Sequence, residues 1–253
     1  MRTTLLAAGL VLFLASQDAP EPAAVTVSAA VSLTDALSAI AKEYAAGTRG
    51  GVRFNFGASN VLARQIVQGA PVDLFISADA AQMEVVRGAG LIQEGTRVDL
   101  VGNQLAVVVP TDRPRTFTSI AQIGEPSFRR IAIGDPAAVP AGVYARQYLE
   151  KEGLWAALQP RIVPTGSVRA ALAAVEAGAA DAAIVYRTDA RGALRATVAW
   201  VVPLDRGPRI VYPAAIVRGS RNAQAASRFL EFLRSATAER TFTRFGFTAR
   251  PAG

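Results

Sequence analysis

Short runs rich in apolar and β-branched residues alternate with longer segments in which apolar residues recur at helical spacing. The run AVTVSAA is followed by SLTDALSAIAKEYAAG, in which Leu33, Leu37, Ile40, Ala41 and Tyr44 fall on one helical face. The same order of strand and then helix recurs after the runs GVRFNFG, VDLFISA, RRIAIGD and RIVPTG. Strands that alternate with helices predict an α/β fold with parallel sheets and right-handed crossovers.

The length of 253 residues suits two such sheets rather than one. We therefore predict two lobes, each a mostly parallel sheet flanked by helices, joined by two hinge crossings near 101–104 and 210–214. The predicted bounds are 25–102 with 213–253 for lobe I, and 103–212 for lobe II.

The first residues, MRTTLLAAGLVLFLAS, combine a basic start with an apolar stretch from Leu5 to Ala15 that is too short to span a bilayer. This pattern predicts that 1–24 is a signal peptide followed by a short tether, with cleavage after Ser16 as one candidate. The sequence contains no cysteine, so we expect no lipid anchor. The mature protein is expected to be exported and soluble.

Composition narrows the chemistry further. Because the chain has neither His nor Cys, catalysis by imidazole or thiolate and metal binding by His or Cys are excluded. The net charge of +7 invites a nucleic-acid hypothesis, but the Arg residues are scattered and aromatic residues make up only 7%. We expect no nucleic acid as partner, and a diffuse positive field would instead speed the arrival of small anions.

At four places a strand is followed by a helix start that contains small or polar residues: Ser32, Ser59, Ala141 with Gly142, and Ser167 with Val168. Open α/β sheets bind ligands at this edge, and a helix N-terminus offers unpaired N–H groups to an anion. The alternative for Ser59, or for its neighbour Asn60, is an ordinary helix cap. Together the four turns favour anion capture by uncharged donors.

Several segments in order resemble one known family. They are AAVSLTDAL, FGASNVLARQIVQGAPVDLFISAD, IAIGDPAAVPAGVYARQYLE, VRAALAAVEAGAADAAIVYRTDA and FTRFGF. Over nearly the whole mature chain the sequence resembles the molybdate-binding proteins of molybdate ABC transporters, which are type II periplasmic binding proteins. The resemblance implies a tetrahedral oxyanion held between two lobes by hydroxyls and main-chain amides.

The resemblance also implies the ligand set. Hydroxyl and amide contacts fall on Ser32 and Ser59, amide contacts on Ala141 and Val168, and a hydroxyl contact on Tyr186. These are contacts to the oxygens of molybdate, not direct coordination of the metal. Without the resemblance, Tyr186 would be taken for a half-buried strand aromatic. Asn60 stands where the family often has Ser, which leaves its role in the pocket open.

Three arginines near these positions, Arg64, Arg169 and Arg187, are expected not to be ligands. We expect them to be solvated or paired with carboxylates such as Asp73, Asp79 or Asp181.

The predicted function is therefore that of a periplasmic, monomeric protein that binds molybdate, and tungstate as well, and delivers it to an ABC permease at the inner membrane, without a cofactor. A binding protein or sensor for another tetrahedral oxyanion such as sulfate is the alternative. A hydrolase using Ser32 or Ser59 is a third hypothesis, but the chain has no G-x-S-x-G elbow and no His base. We therefore expect no enzyme activity.

Overall fold

The computed structural model describes residues 24–48 and 50–249. The predicted signal peptide and tether therefore lie outside the described residues, except for Ala24. Within the described part no helix is long and apolar enough to cross a membrane.

The first sheet has five strands in the order β2-β1-β3-β10-β4. Their bounds are Val25–Ala30 (β1), Val52–Gly57 (β2), Leu74–Ile76 (β3), Val98–Asn103 (β4) and Ile210–Ile216 (β10). β1 pairs in parallel with β2 and β3, whereas β10 runs antiparallel to both β3 and β4. The sheet is mixed, with only β10 reversed.

The second sheet repeats this plan in the order β7-β6-β8-β5-β9. Its strands are Leu105–Pro110 (β5), Ile131–Gly134 (β6), Ile162–Thr165 (β7), Ala182–Tyr186 (β8) and Ala196–Val201 (β9). β6 is parallel to β7 and β8, and β5 runs antiparallel to β8 and β9. Again a single strand is reversed, so the prediction of two mostly parallel sheets is confirmed. β4 is a strand that the hydrophobic pattern did not predict.

The helices connect these strands and cover the sheets. They are Thr34–Gly47 (α1), Ser59–Val67 (α2), Ala80–Gly88 (α3), Pro140–Lys151 (α4), Trp155–Leu158 (α5), Val168–Glu176 (α6), Arg187–Arg191 (α7), Ala223–Leu233 (α8) and Ala236–Arg244 (α9). Three short 3-10 turns occur at Val31–Leu33, Ile120–Gly124 and Gln159–Arg161. α1 buries Leu37, Ile40 and Tyr44, as its apolar spacing predicts.

Both faces of the first sheet are covered by helices. Phe75 packs with residues of α2 and α3, whereas its neighbours Leu74 and Ile76 pack in the cluster that contains α1, α8 and α9. Successive side chains of a strand point to opposite faces, so β3 is buried on both sides. This burial explains why its sequence is uniformly apolar.

Within the described residues the chain passes between the two sheets twice. The first passage is at Gln104, between β4 and β5. The second runs through 202–209, because β10 pairs with the first sheet from its first residue, Ile210, opposite Asn103. It therefore precedes the 210–214 segment suggested by the sequence. The exact lobe bounds stay a prediction.

Candidate functional site

A small cavity lies where strand ends of the first sheet face strand ends of the second. Its lining comes from both sheets and consists of Ala30, Val31, Ser32, Gly57, Ala58, Ser59, Ala78, Val139, Pro140, Ala141, Val168 and Tyr186. All five residues predicted to bind the anion are among them. The structure thus brings together residues that lie up to 154 positions apart, from Ser32 to Tyr186. Their role as ligands stays a prediction.

Ser59 does not cap its helix. The N-cap of α2 is Ala58, no side chain caps it, and Ser59 is the first helical residue. Its buried Oγ accepts a hydrogen bond of 3.0 Å from the backbone N–H of Ala78. Because that bond uses the oxygen as acceptor, the hydroxyl hydrogen of Ser59 remains available to donate into the cavity.

Ser32 lies in the 3-10 turn that joins β1 to α1, rather than directly before the α-helix. It is 4% exposed, and its Oγ lies 3.0 Å from the Oη of Tyr212. The turn begins directly after the buried end of β1 and therefore places Ser32 at the rim of the sheet.

The second sheet contributes two helix N-termini. Pro140 occupies the first turn of α4, followed by Ala141. Val168 is the first residue of α6, and the side chain of Ser167 caps that helix by accepting from the N–H of Ala170. The first amides of a helix have no carbonyl partner within it, so the N–H groups of Ala141 and Val168 can donate to an anion.

Two glycines, Gly134 and Gly142, allow α4 to start close to the end of β6. A Cβ on Gly142 would collide with the carbonyl of Gly134, at the end of β6. Any larger residue at Gly142 would push the start of α4, and the amide of Ala141 with it, away from the strand end.

Tyr186 ends β8 with its side chain fully enclosed. It is 1% exposed, and its hydroxyl is a buried polar atom without a hydrogen-bond partner among the described residues. Burial raises the pKa of Tyr186 well above its ordinary value, so the hydroxyl stays protonated at physiological pH. An unpaired buried hydroxyl is costly, which points to a ligand as its missing partner.

No charged side chain is among the described residues that line the cavity. The described part of the chain also contains no cluster of acidic, His or Cys residues that could hold a metal ion. What the cavity offers is a set of hydroxyls, helix-terminal amides and small apolar side chains.

Arg169, which follows Val168, is held by two carboxylates. Its Nε donates to Asp189 at 2.6 Å and its Nη2 to Asp35 at 2.6 Å. Pairing with carboxylates was expected, but the partners are not the three that the sequence suggested. Burial raises the pKa of Asp189 to about 6, although the neighbouring guanidinium lowers it. Asp35 belongs to α1, so this ion pair also joins the two sides of the cleft.

Sequence reasoning missed three residues that position the site. Ala78 supplies the amide that orients Ser59, Tyr212 contacts Ser32, and Asn103 donates to Tyr212 at 3.1 Å. Ala78 follows β3 in the same way as Ser32 follows β1, so the end of this third strand is a signal that could have indicated it. No local pattern marks Tyr212 or Asn103.

Comparison with known proteins shows the family of the chain. The sequence model of the family described as "Bacterial extracellular solute-binding protein" matches residues 25–248. The molybdate-binding protein ModA of Escherichia coli is 39% identical over 235 residues, which cover 89% of each chain. The chain belongs to this ModA family of solute-binding proteins. Membership in a solute-binding family also confirms the expectation that it is not an enzyme.

Two further members show how far the likeness extends. A Bacillus subtilis relative, the putative ABC transporter substrate-binding lipoprotein YvgL, is 36% identical over 97% of this chain and 94% of its own. The periplasmic molybdate-binding protein of Azotobacter vinelandii matches the structure with a TM-score of 0.80 at 27% identity, over 88% of this chain and 98% of that one. The family thus shares the two-sheet architecture described above.

Proposed function

We propose that the protein is the molybdate-binding component of an ABC transporter, that it binds tungstate as well, and that Ser32, Ser59, Ala141, Val168 and Tyr186 hold the oxyanion. The observation that carries the proposal is the unpaired, buried hydroxyl of Tyr186 in a cavity shared with four other predicted donors. The family membership supports the choice of molybdate.

The donor set suits a dianion stripped of its water. An ion that leaves water needs hydrogen bonds to replace its hydration shell, and charged hydrogen bonds are the stronger ones. Hydroxyls of Ser32, Ser59 and Tyr186 and the helix-terminal amides supply such bonds from both sheets. Because donors from both sheets must converge on one ion, binding is expected to favour the closed arrangement of the lobes.

Titration of the purified protein tests the proposal. Since the donors are neutral and fixed by the fold, we expect molybdate and tungstate to bind at least ~100-fold more tightly than sulfate or phosphate, which corresponds to about 2.7 kcal/mol. Isothermal calorimetry with the four anions at one pH and ionic strength gives the ratios. Tight binding of sulfate without a response to molybdate would establish the alternative function instead.

The affinity for molybdate is expected to stay nearly constant from about pH 7 to 9. Burial raises the pKa of Tyr186 and of Tyr212 above their ordinary value, so both hydroxyls remain protonated throughout this range, and serines and amides do not titrate there. Calorimetric titrations at half-unit steps measure this directly. A steep fall between pH 7 and 8 would mean that an ionisable group takes part in binding.

The family and the sequence support a proposal for where the protein works. We propose that the protein works in the periplasm after removal of the signal peptide, as a monomer that delivers its ion to an inner-membrane permease. YvgL is named a lipoprotein; the proposal for this chain is a protein without a lipid anchor, supported by a sequence that contains no cysteine.

A further inference from the structure

A series of hydrogen bonds through two buried side chains leads from the first passage between the sheets to the candidate ligand Ser32. It runs from the backbone of Gln104 through the side chains of Asn103 and Tyr212. Asn103 and Tyr212 are 3% and 0% exposed, so bulk water does not compete for these bonds. The direction of each of these hydrogen bonds determines whether the hydroxyl of Ser32 donates or accepts.

The backbone of Gln104 determines the donor-to-acceptor direction of the series. Its backbone N–H, which can only donate, lies 2.8 Å from the Oδ1 of Asn103. This donor fixes the amide of Asn103 with its oxygen toward the backbone and its Nδ2 on the other side. Nδ2 then donates to the hydroxyl of Tyr212 at 3.1 Å and to the Oγ1 of Thr188 at 2.9 Å.

The hydroxyl of Tyr212 accepts one hydrogen bond and donates the next. Its oxygen accepts from Asn103, so its one hydrogen is directed to another acceptor, and Ser32 Oγ at 3.0 Å is the hydrogen-bond partner that the structure gives it. Ser32 in turn accepts from Tyr212, which leaves its own hydrogen for the cavity. Ser59 is fixed in the same sense by the N–H of Ala78.

We propose that Asn103 and Tyr212 are positioning residues, which hold Ser32 as a hydrogen-bond donor toward the bound oxyanion. The proposal rests on the function proposed above. With both serines fixed as donors, their hydroxyls offer hydrogens to a fully deprotonated oxyanion. Each oxygen already accepts one hydrogen bond from the protein, from Tyr212 at Ser32 and from Ala78 at Ser59, so the hydrogen of each hydroxyl is the group that faces the ligand. Without Tyr212, the hydroxyl of Ser32 would have to be ordered each time the ion binds.

A double-mutant cycle separates this role from a merely structural one. Tyr212→Phe keeps the ring and removes the hydroxyl, and we expect it to weaken molybdate binding roughly 2- to 12-fold, the range for one neutral hydrogen bond. In the Ser32→Ala background the same change is expected to alter the affinity by less than twofold, because Tyr212 then has no ligand hydroxyl to orient. Calorimetry with molybdate on all four proteins gives the coupling.

Tyr44→Phe is the matched control, because Tyr44 is also buried in the part of the chain that forms the first sheet but lies outside the cavity lining. It is expected to leave the affinity unchanged. An equal loss from Tyr212→Phe in both backgrounds, or no loss in either, overturns the inference while the proposed function stands. A wild-type protein that does not bind molybdate overturns the proposed function and this inference with it. Thermal melting of each variant shows that the four proteins are folded.

Discussion

Replacing Arg169 with methionine is expected to lower the free energy of unfolding by about 3 kcal/mol at pH 7.5, through the carboxylate that it leaves behind. Asp189 is fully buried, and Arg169 is its ion-pair partner at 2.6 Å. Removing one member of a buried pair costs about 3 to 5 kcal/mol. We expect the lower end, since the Arg169 side chain is 30% exposed. Urea unfolding followed by the fluorescence of Trp155 and Trp200 measures the change.

Two variants show whether the loss comes from the buried charge. Asp35→Asn removes the other carboxylate that pairs with Arg169. The side chain of Asp35 is 52% exposed, so this change should lower the free energy of unfolding by less than about 1 kcal/mol. The double variant Arg169→Met with Asp189→Asn should recover most of the stability, because it leaves no buried carboxylate unpaired. If the double variant is no more stable than Arg169→Met alone, the loss comes from packing and not from charge.

The pH dependence of the loss has a definite sign. The pKa of Asp189 is raised to about 6 in the folded protein, above the ordinary value of 3.8. Between these values the folded state binds the extra proton, so the contribution of Asp189 to stability falls as the pH rises from about 4 to 6 and is constant above. Without Arg169 the folded pKa rises further, and the fall continues at higher pH. The deficit of Arg169→Met should therefore be smaller at pH 5 than at pH 8, and an equal deficit would contradict this cause.

The architecture was predictable because it depends on local pattern. Apolar runs and helical spacing indicated β1, β2, β3, β6 and β7, the helix that follows each of them, and hence the α/β class. The reversal of β10 was not predictable, since a buried strand has the same apolar pattern in either direction. Segment 202–209 was missed as the second passage because nothing local shows that Ile210 already pairs with β4.

In the site, too, local contacts were predictable from the sequence and contacts between distant residues were not. A serine before a helix is typically a cap, and this holds for Ser167, whose partner is only three residues away. Ser59 is different because its partner is the amide of Ala78, 19 residues along the chain. Tyr212 contacts Ser32 across 180 positions, and Arg169 contacts Asp35 across 134. Contacts at such separations exist only in the folded chain, so no single-sequence pattern marks them.

The second large effect is expected at the start of α6, where Val168→Pro should weaken molybdate binding about 10- to 150-fold with little change in the fold. Val168 is the first helical residue after the cap Ser167. Proline is well tolerated at this position, because the N–H that it lacks has no partner within the helix. Ser167 already has the extended backbone, with φ −164° and ψ 166°, that the residue before a proline prefers. The loss is that of one hydrogen bond to a dianion, about 1.5 to 3 kcal/mol.

Two controls isolate the amide of Val168 from its side chain and from the helix. Val168→Ala removes the buried side chain but keeps the N–H, so we expect it to retain most of the affinity. Ala236→Pro places proline at the same position of α9, after the cap Ser235, and far along the chain from the cavity residues. It should leave molybdate binding unchanged, and its melting temperature reports what proline at a first helical position costs this protein. Of the three variants, only Val168→Pro lacks the N–H at position 168. If this variant binds molybdate within twofold of wild type and its melting curve is unchanged, the N–H of Val168 does not contact the ion. The anion would then have to be held on that side by the amide of Ala141 and the hydroxyl of Tyr186.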